Sequence, residues 1–436
     1  MTSQTTGGGY RLAEQTLEDV TGEPAQKRLA VAHRGHERPL CWCVPGGVPM
    51  YVARAGRVFI VKRMPGTGPA HARTCASWTA PEQLSGLGQV QGSAITEDPD
   101  SGLTALRLDF SLSQNAGRAA PAAAGGASDT VAADGTKLTL RAMLHYLWDD
   151  AGFTSWTPRM AGKRSWRVVS WHLRQTARTK TTKGAVLSSR LFVPEPFDPD
   201  RKAELSARRL NAWAPARAQR GSSSRPLLLL VGEVKEISPS RFGHKMVIKH
   251  MPDAPVMLDD DIHRRMLTTF ADDLALWEAG EHHHLMVIAT FSVGPTGLAS
   301  AVRLALMCTD EHWLPIANDY DRLLITAAVD QQRRFTVGMR YNLPADTPLA
   351  ALTLTDTDPV TAVHYSTGDA AEFAEVIAAE GLGHWHWDID EELPPFPPAQ
   401  HRGTNPTAPP LSPLPPAPIP PAPITSATTA QTGTPT

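Results

Sequence analysis

Apolar positions repeat with two different periods along this chain, and the change of period divides it. Leu140, Leu144, Leu147 and Trp148 recur at helical spacing and stop near Gly152, which predicts a helix with one buried stripe. In a second helical stretch Trp166, Val169, Leu173 and Ala177 form the apolar stripe. Lys163, Arg167, Arg174 and Arg178 fall within about 60° of one another on a separate face, at roughly 100° per residue. The two helices can pack together with the cationic face outward. From Pro226 the period shortens, and LLLLVGEV, MVIKHM, LMVIATFSV, VRLALMC, ALTLT and TAVHY read as strands. Helices intervene: one starts at Asp259 with Ile262, Met266, Phe270 and Trp277 facing a core, and one covers 320–334. A last helix has Asp369 and Glu372 as a capping box and stops at Gly381. This alternation predicts a mixed or parallel sheet with helices packed on it. Nearer the start, β-rich runs at 50–54 and 57–64, joined at Ala55-Gly56, predict a hairpin.

Segments without the bulk to pack separate these elements. Residues 1–25 are polar and rich in Gly and Thr, 114–136 are dominated by Ala and Gly, and 214–225 form a short basic linker. From Pro394, PPFPP and APPLSPLPPAPIPPAP favour polyproline II geometry, as a solvated tail or as a ligand for an aromatic groove on a protein partner. The expected architecture is α+β and multidomain. It comprises disordered residues 1–25, a zinc-ribbon-like β module over 26–113, the Ala/Gly-rich linker 114–136, a basic helical segment over 137–213, the linker 214–225, a mixed α/β domain over 226–393 and a disordered proline-rich tail over 394–436.

The chain has 436 residues, room for two or three domains, and a formal net charge of −2. No global charge points to nucleic acid or membrane, so any basic surface must be local. No signal-peptide pattern opens the chain and no apolar run approaches about 18 residues, so a cytoplasmic protein that does not span a membrane is expected. Four cysteines fit a reducing compartment. A local basic block does exist. Between Asp150 and Glu195 there is no acidic residue, yet the segment holds Arg159, Lys163, Arg164, Arg167, Arg174, Arg178, Lys180, Lys183 and Arg190. Cations on one face suit a phosphate backbone, and Trp171 beside them can stack on a base. A solvated face compensated by Asp198, Asp200 or the run Asp259 to Asp261 gives the same pattern.

Cys41, Cys43, His71 and Cys75 carry the clearest chemistry. A CxC pair and an HxxxC pair on either side of the hairpin supply four soft ligands for a tetrahedral Zn²⁺. Pro45, Gly46 and Gly47 provide turn conformations beside the first pair. A closed four-ligand site holds a fold together and leaves no open position for substrate. His33 and His36 are spare ligands, and Cys308, within VRLALMC, reads as a buried thiol.

Glu233 and Lys235, in VGEVKE, have the ExK form of nuclease cores in which a carboxylate holds Mg²⁺ and a lysine stabilises charge. Such a core needs a second carboxylate. Asp200 is the nearest candidate, although it leads into the helical run RKAELSARRLNAW. An ExK triplet is common by chance, and strand-end charges at Glu233, Lys235 and Glu236 are the favoured reading. Glu281, His282, His283 and His284 precede a strand, where neighbours point to opposite faces and cannot all share one metal. His384, Trp385, His386 and Trp387 read as an aromatic-rich packing segment.

The phrases LCWCVPGGVPMYVAR, VFIVKRMPGTG, HARTC, GLGQVQGSAITEDPDSG, YLWDDAGF, MAGKRSW, GEVKE, MLDDDIHRR and RYNLP resemble the bacterial DUF1173 proteins, a family of unknown function. The resemblance runs from about His33 to Tyr365 and includes the four proposed zinc ligands. It brings no catalytic residues. It implies an accessory role around mobile DNA, because such proteins are typically encoded on plasmids and integrative elements. The leading expectation is therefore a zinc-containing accessory protein that binds nucleic acid non-catalytically through Lys163, Arg167, Trp171, Arg174 and Arg178. A Mg²⁺-dependent nuclease and a protein-interaction scaffold are the alternatives.

Overall fold

The computed structural model describes residues 9–115, 135–217, 224–344, 347–368 and 370–400. Most of the 114–136 linker, half of the 214–225 linker and the tail beyond residue 400 lie outside them.

An antiparallel sheet opens the chain, in the order Gln15–Leu17, Tyr10–Leu12, Leu40–Cys41, Val48–Ala55 and Val58–Arg63. The helix Glu23–Arg34 lies on it, with Leu29 and Ala32 in one core with Met50, Val52 and Val61. Two expectations are corrected here. Residues 10–25 are ordered, because Tyr10, Leu12 and Leu17 are buried on strands too short to show a period among polar neighbours. The module is a helix-covered sheet and not a ribbon. The hairpin closes at Gly56-Arg57, since Ala55 pairs with Val58 and Gly56 takes a φ of +68°, the conformation that a two-residue hairpin loop needs.

A second sheet runs Ala185–Val186, Lys180–Thr182, Leu103–Leu106, Ile95–Asp98. Its parallel pairing of Lys180 with Thr104 joins residues expected in the β module to residues expected in the basic segment. The core erases the next boundary as well. Met143, Leu147 and Trp148 of the helix Leu140–Asp150, and Val169 and Leu173 of the helix Trp166–Thr176, share one cluster with Leu228–Val231 and Leu285–Ile288. The segment 137–213 is thus part of the α/β core and not a separate unit. The first helix follows the spacing read from the sequence, and Thr139 caps it by accepting the Ala142 N–H at 3.1 Å; the second is shorter than expected, with Lys163 before its start and Arg178 in the 3₁₀ turn Ala177–Thr179 after its end.

The largest sheet closes on itself. Leu228–Pro239, His244–Ile248, Val256–Leu258, Ala299–Thr309 and His284–Val293 pair in that order, and His284–Val293 returns to Leu228–Pro239. Within this circuit only Val256–Leu258 and Ala299–Thr309 run parallel, so the sheet is mixed, as the sequence suggested. Asp259 accepts the Ile262 N–H at 2.7 Å and caps Asp260–Thr269. A break at Phe270 then separates that helix from Ala271–Ala279. A further sheet runs Gly383–Asp388, Thr361–Ser366, Leu352–Leu354, Phe335–Val337 and Ser155–Trp156. The helix Ala371–Ala379 beside it starts without a side-chain cap; Asp369, expected as that cap, lies outside the described residues.

The beginning of the proline-rich tail is also part of the fold, contrary to expectation. Phe396 is buried, 5.1 Å from the Trp385 ring. Arg333 Nη1 donates to the Pro397 carbonyl at 2.8 Å and Trp385 Nε1 to that of Pro395 at 3.1 Å. Proline carbonyls are acceptors without a competing N–H, which suits them to this docking. No helix among the described residues is long and apolar enough to cross a membrane.

Candidate metal centre and cationic face

The turn after Leu40–Cys41 brings Cys43 back beside Cys41. Gly47 sustains it at a φ of +72°, where a Cβ would stand 3.0 Å from Trp42 and 3.1 Å from Leu40. A short 3₁₀ turn, Gly68–Ala70, delivers His71 at its end, and a further turn closed by Cys75 N–H to the Ala72 carbonyl at 2.7 Å delivers Cys75. The four ligand atoms all lie within 4.8 Å of one another. Cys41 Sγ and Cys75 Sγ are 3.6 Å apart, and His71 Nδ1 lies 3.4 Å from Cys43 Sγ and 3.8 Å from Cys75 Sγ. Tetrahedral Zn²⁺ with Zn–S of about 2.3 Å and Zn–N of about 2.0 Å would set these edges at about 3.8 Å for S to S and about 3.5 Å for S to N. The observed edges match, and all four cysteines are free thiols.

The surroundings also suit a cation. Backbone N–H groups of Ala72 and Ser77 donate to Cys43 Sγ at 3.3 Å and Cys75 Sγ at 3.4 Å, a second layer of donors that favours thiolates. The hydrogen bond from Cys41 and the Ser77 N–H hold the Cys75 thiol down at about 5, while its bond to Cys75 and burial push Cys41 up. Burial holds the His71 imidazolium down, so the ring is neutral, with Nδ1 toward the sulfurs. Three sulfurs this close cannot all ionise without a cation between them. The donor set and geometry therefore fit a metal ion of zinc's preferences. The spare histidines are engaged elsewhere: His33 Nδ1 is 3.0 Å from the Val52 carbonyl and His36 is near Asp100.

The nine cations of the basic block divide. Arg164 is internal, its guanidinium on the carbonyls of Gly152, Phe153, Ser155 and His312. Lys180 is fully buried, 3.1 Å from Asp150, which also faces the buried Lys62 at 3.6 Å. Arg174 turns back along its helix to the Ser170 carbonyl at 3.0 Å and is half-buried, a correction to its expected place on the outer face. Lys163, Arg167 and Arg178 are exposed. Trp171 is 45% exposed on the same side of the helix, one turn from Arg167. No carboxylate among the described residues pairs with these three cations. Arg178 Nη1 packs against the hairpin loop, so close that a Cβ on Gly56 would come within 2.8 Å. That hairpin carries the exposed Arg54 and Arg57, which extend the cationic face onto the sheet that holds Cys41. Sequence periodicity could not show this extension, because it joins residues more than a hundred positions apart.

The ExK core is not assembled. Glu233 is buried, and its Oε1 accepts from Lys249 Nζ at 2.6 Å and His284 Nδ1 at 2.8 Å, with His250 Nε2 at 3.4 Å from Oε2. Burial alone would raise its pKa, but these three donors outweigh it and hold the carboxyl well below the usual range. Trp166 stacks on His250 and Trp313 on His284, with centroids 5.0 and 3.9 Å apart. Lys235 sits at a bulge between Val234 and Glu236 and is exposed. Asp200 is exposed, with its N–H on Asp198. Both Glu233 oxygens thus face Lys249, His284 and His250, and neither Lys235 nor Asp200 is among their partners. The partners of Glu233 escaped the sequence reading because Lys249 and His250 carry no spacing signal. His284 stands in a run whose alternating faces hide its partner, and its neighbour His283 instead bonds the Leu276 carbonyl through Nδ1 at 2.6 Å. Beside His250 lies a cavity of about 190 Å³ lined in part by Arg174, Glu195, Arg208 and Arg209.

No curated protein and no solved structure matches the chain. The family described as "protein of unknown function (DUF1173)" matches residues 10–389, a span that contains the cysteine and histidine cluster, the cationic face and the Glu233 cluster. The chain belongs to the DUF1173 family.

Proposed function

We propose that this protein is a zinc-containing, non-catalytic nucleic-acid binder that serves a mobile genetic element. Zn²⁺ on Cys41, Cys43, His71 and Cys75 fixes the N-terminal sheet and with it the hairpin that carries Arg54 and Arg57. The observation that carries the reading is the packing of exposed Arg178 on that hairpin beside exposed Arg54 and Arg57, with Arg167 and Trp171 exposed on the preceding helix. Such a surface tracks a phosphate backbone and offers one stacking platform, without base-specific readout. The chain's resemblance to DUF1173 proteins, typically encoded on plasmids and integrative elements, supports the setting.

The test is retention of a labelled 30-nucleotide DNA or RNA at about 50 mM salt by the native chain and by Lys163→Glu/Arg167→Glu/Arg178→Glu. These side chains are exposed, so the variant should fold. Retention by the native chain and its loss in the variant are expected; equal retention by both would remove the proposal.

A further inference from the structure

Three histidines outside the cysteine centre converge on one face of the C-terminal sheet. The strands Thr361–Ser366 and Gly383–Asp388 run parallel, with Ala362 opposite His384 and His364 opposite His386. Alternation along the second strand sends His384 and His386 to one face and Trp385 and Trp387 to the other, where Trp387 is buried in the core. The His364 ring centroid lies 4.8 Å from those of both His384 and His386, which are 6.3 Å from each other. Three imidazoles on one tetrahedral ion would place their centroids about 5 Å apart.

His364 is the informative member. It is 4% exposed, and both of its ring nitrogens are buried without a hydrogen-bond partner. A core histidine normally satisfies at least one of them. Phe373, on the helix Ala371–Ala379, closes one side of the cluster at 4.9 Å from the His364 ring. His384 is exposed on the other side, and His386 Nε2 is 2.9 Å from Ser366 Oγ. The cluster is therefore a wall of imidazoles with one end in solvent and one unpartnered ring at its base.

We infer that His364, His384 and His386 form a second metal site, which takes a divalent transition-metal ion such as Zn²⁺ on three imidazoles and leaves one position open to water. An all-imidazole donor set suits Zn²⁺, Cu²⁺ and Ni²⁺ and disfavours Mg²⁺ and Ca²⁺. Only the cysteine centre has its ligand atoms within 4.8 Å of one another among the described residues, so binding here turns the exposed His384 ring, and His386 away from Ser366, toward His364.

Equilibrium dialysis of the full chain against Zn²⁺ should give two equivalents per chain. With Co²⁺, the cysteine centre should show intense thiolate charge-transfer absorption in the near ultraviolet, and the second equivalent should add only weak ligand-field bands. His384→Ala, an exposed position, should weaken the second equivalent by about tenfold or more, and His384→Ala/His386→Ala should abolish it, both with the thiolate absorption intact. Binding of the cysteine-centre equivalent alone by the native chain, or a second equivalent that survives in the double variant, would overturn the inference.

Discussion

Cys75 carries more of the N-terminal structure than its size suggests, because its sulfur faces Cys41, His71 and the Ser77 N–H together. Cys75→Ser is expected to lower zinc affinity by more than about 100-fold, read as loss of zinc after dialysis. Faster amide exchange in Val48–Ala55 should accompany that loss, because the binding energy of a structural metal belongs to the module it closes. Asp310 offers a test of pH dependence. Burial pushes its carboxyl up to about 7, even though Oδ1 accepts from Leu314 at 2.8 Å and His312 at 2.9 Å. The folded chain then holds a proton that the unfolded chain releases above about pH 4. This contribution to stability is full below that pH and is lost as pH rises through 7, at up to about 1.4 kcal/mol per unit. Asp310→Asn keeps the accepting oxygen and should flatten that slope in denaturant titrations from pH 5 to 7.5; an unchanged slope would contradict the assignment. At this scale the sequence was legible where chemistry restricts the residue type. Four soft ligands at tight spacing announced themselves, whereas Asp310 and the donors around Glu233 are ordinary residues whose burial follows from elements distant in sequence.

Among the elements, the helix Leu140–Asp150 ties two strands to it through its last residue. Asp150 faces Lys180 of Lys180–Thr182 and Lys62 of Val58–Arg63. Burial opposes its ionisation, but the two ammonium groups outweigh burial and hold its carboxyl low. Asp150→Asn leaves both lysines buried without a counter-charge and should cost about 3–5 kcal/mol in urea unfolding; a loss under about 1 kcal/mol would show that the lysines find other partners. Helices of this length were legible, because ten or more residues repeat the apolar period and Asp259 marks the start of one of them. Strands such as Tyr10–Leu12, Ser155–Trp156 and Lys180–Thr182 were not. Two or three residues carry no period, and their pairing is decided by what lies beside them in space.

At the scale of the whole molecule, the composition breaks suggested a string of modules, and contacts between them replace that picture. The sheet joining Leu103–Leu106 to Lys180–Thr182, the core shared by Trp148 and Leu229, and the docking of Phe396 each cross an expected boundary. Low bulk in a linker says where a chain is free to turn and nothing about which sides meet. Arg178, in the turn after the Trp166–Thr176 helix, packs on the hairpin of the N-terminal sheet and so brings cations of two elements to one surface. The most direct test of that surface is the dependence of duplex DNA affinity on salt concentration, measured for the native chain and for Lys163→Ala/Arg167→Ala/Arg178→Ala. If each of the three cations neutralises one phosphate, the log–log slope of the variant should be shallower than the native slope by about 2.7. Equal slopes for the two proteins would contradict nucleic-acid binding at this face.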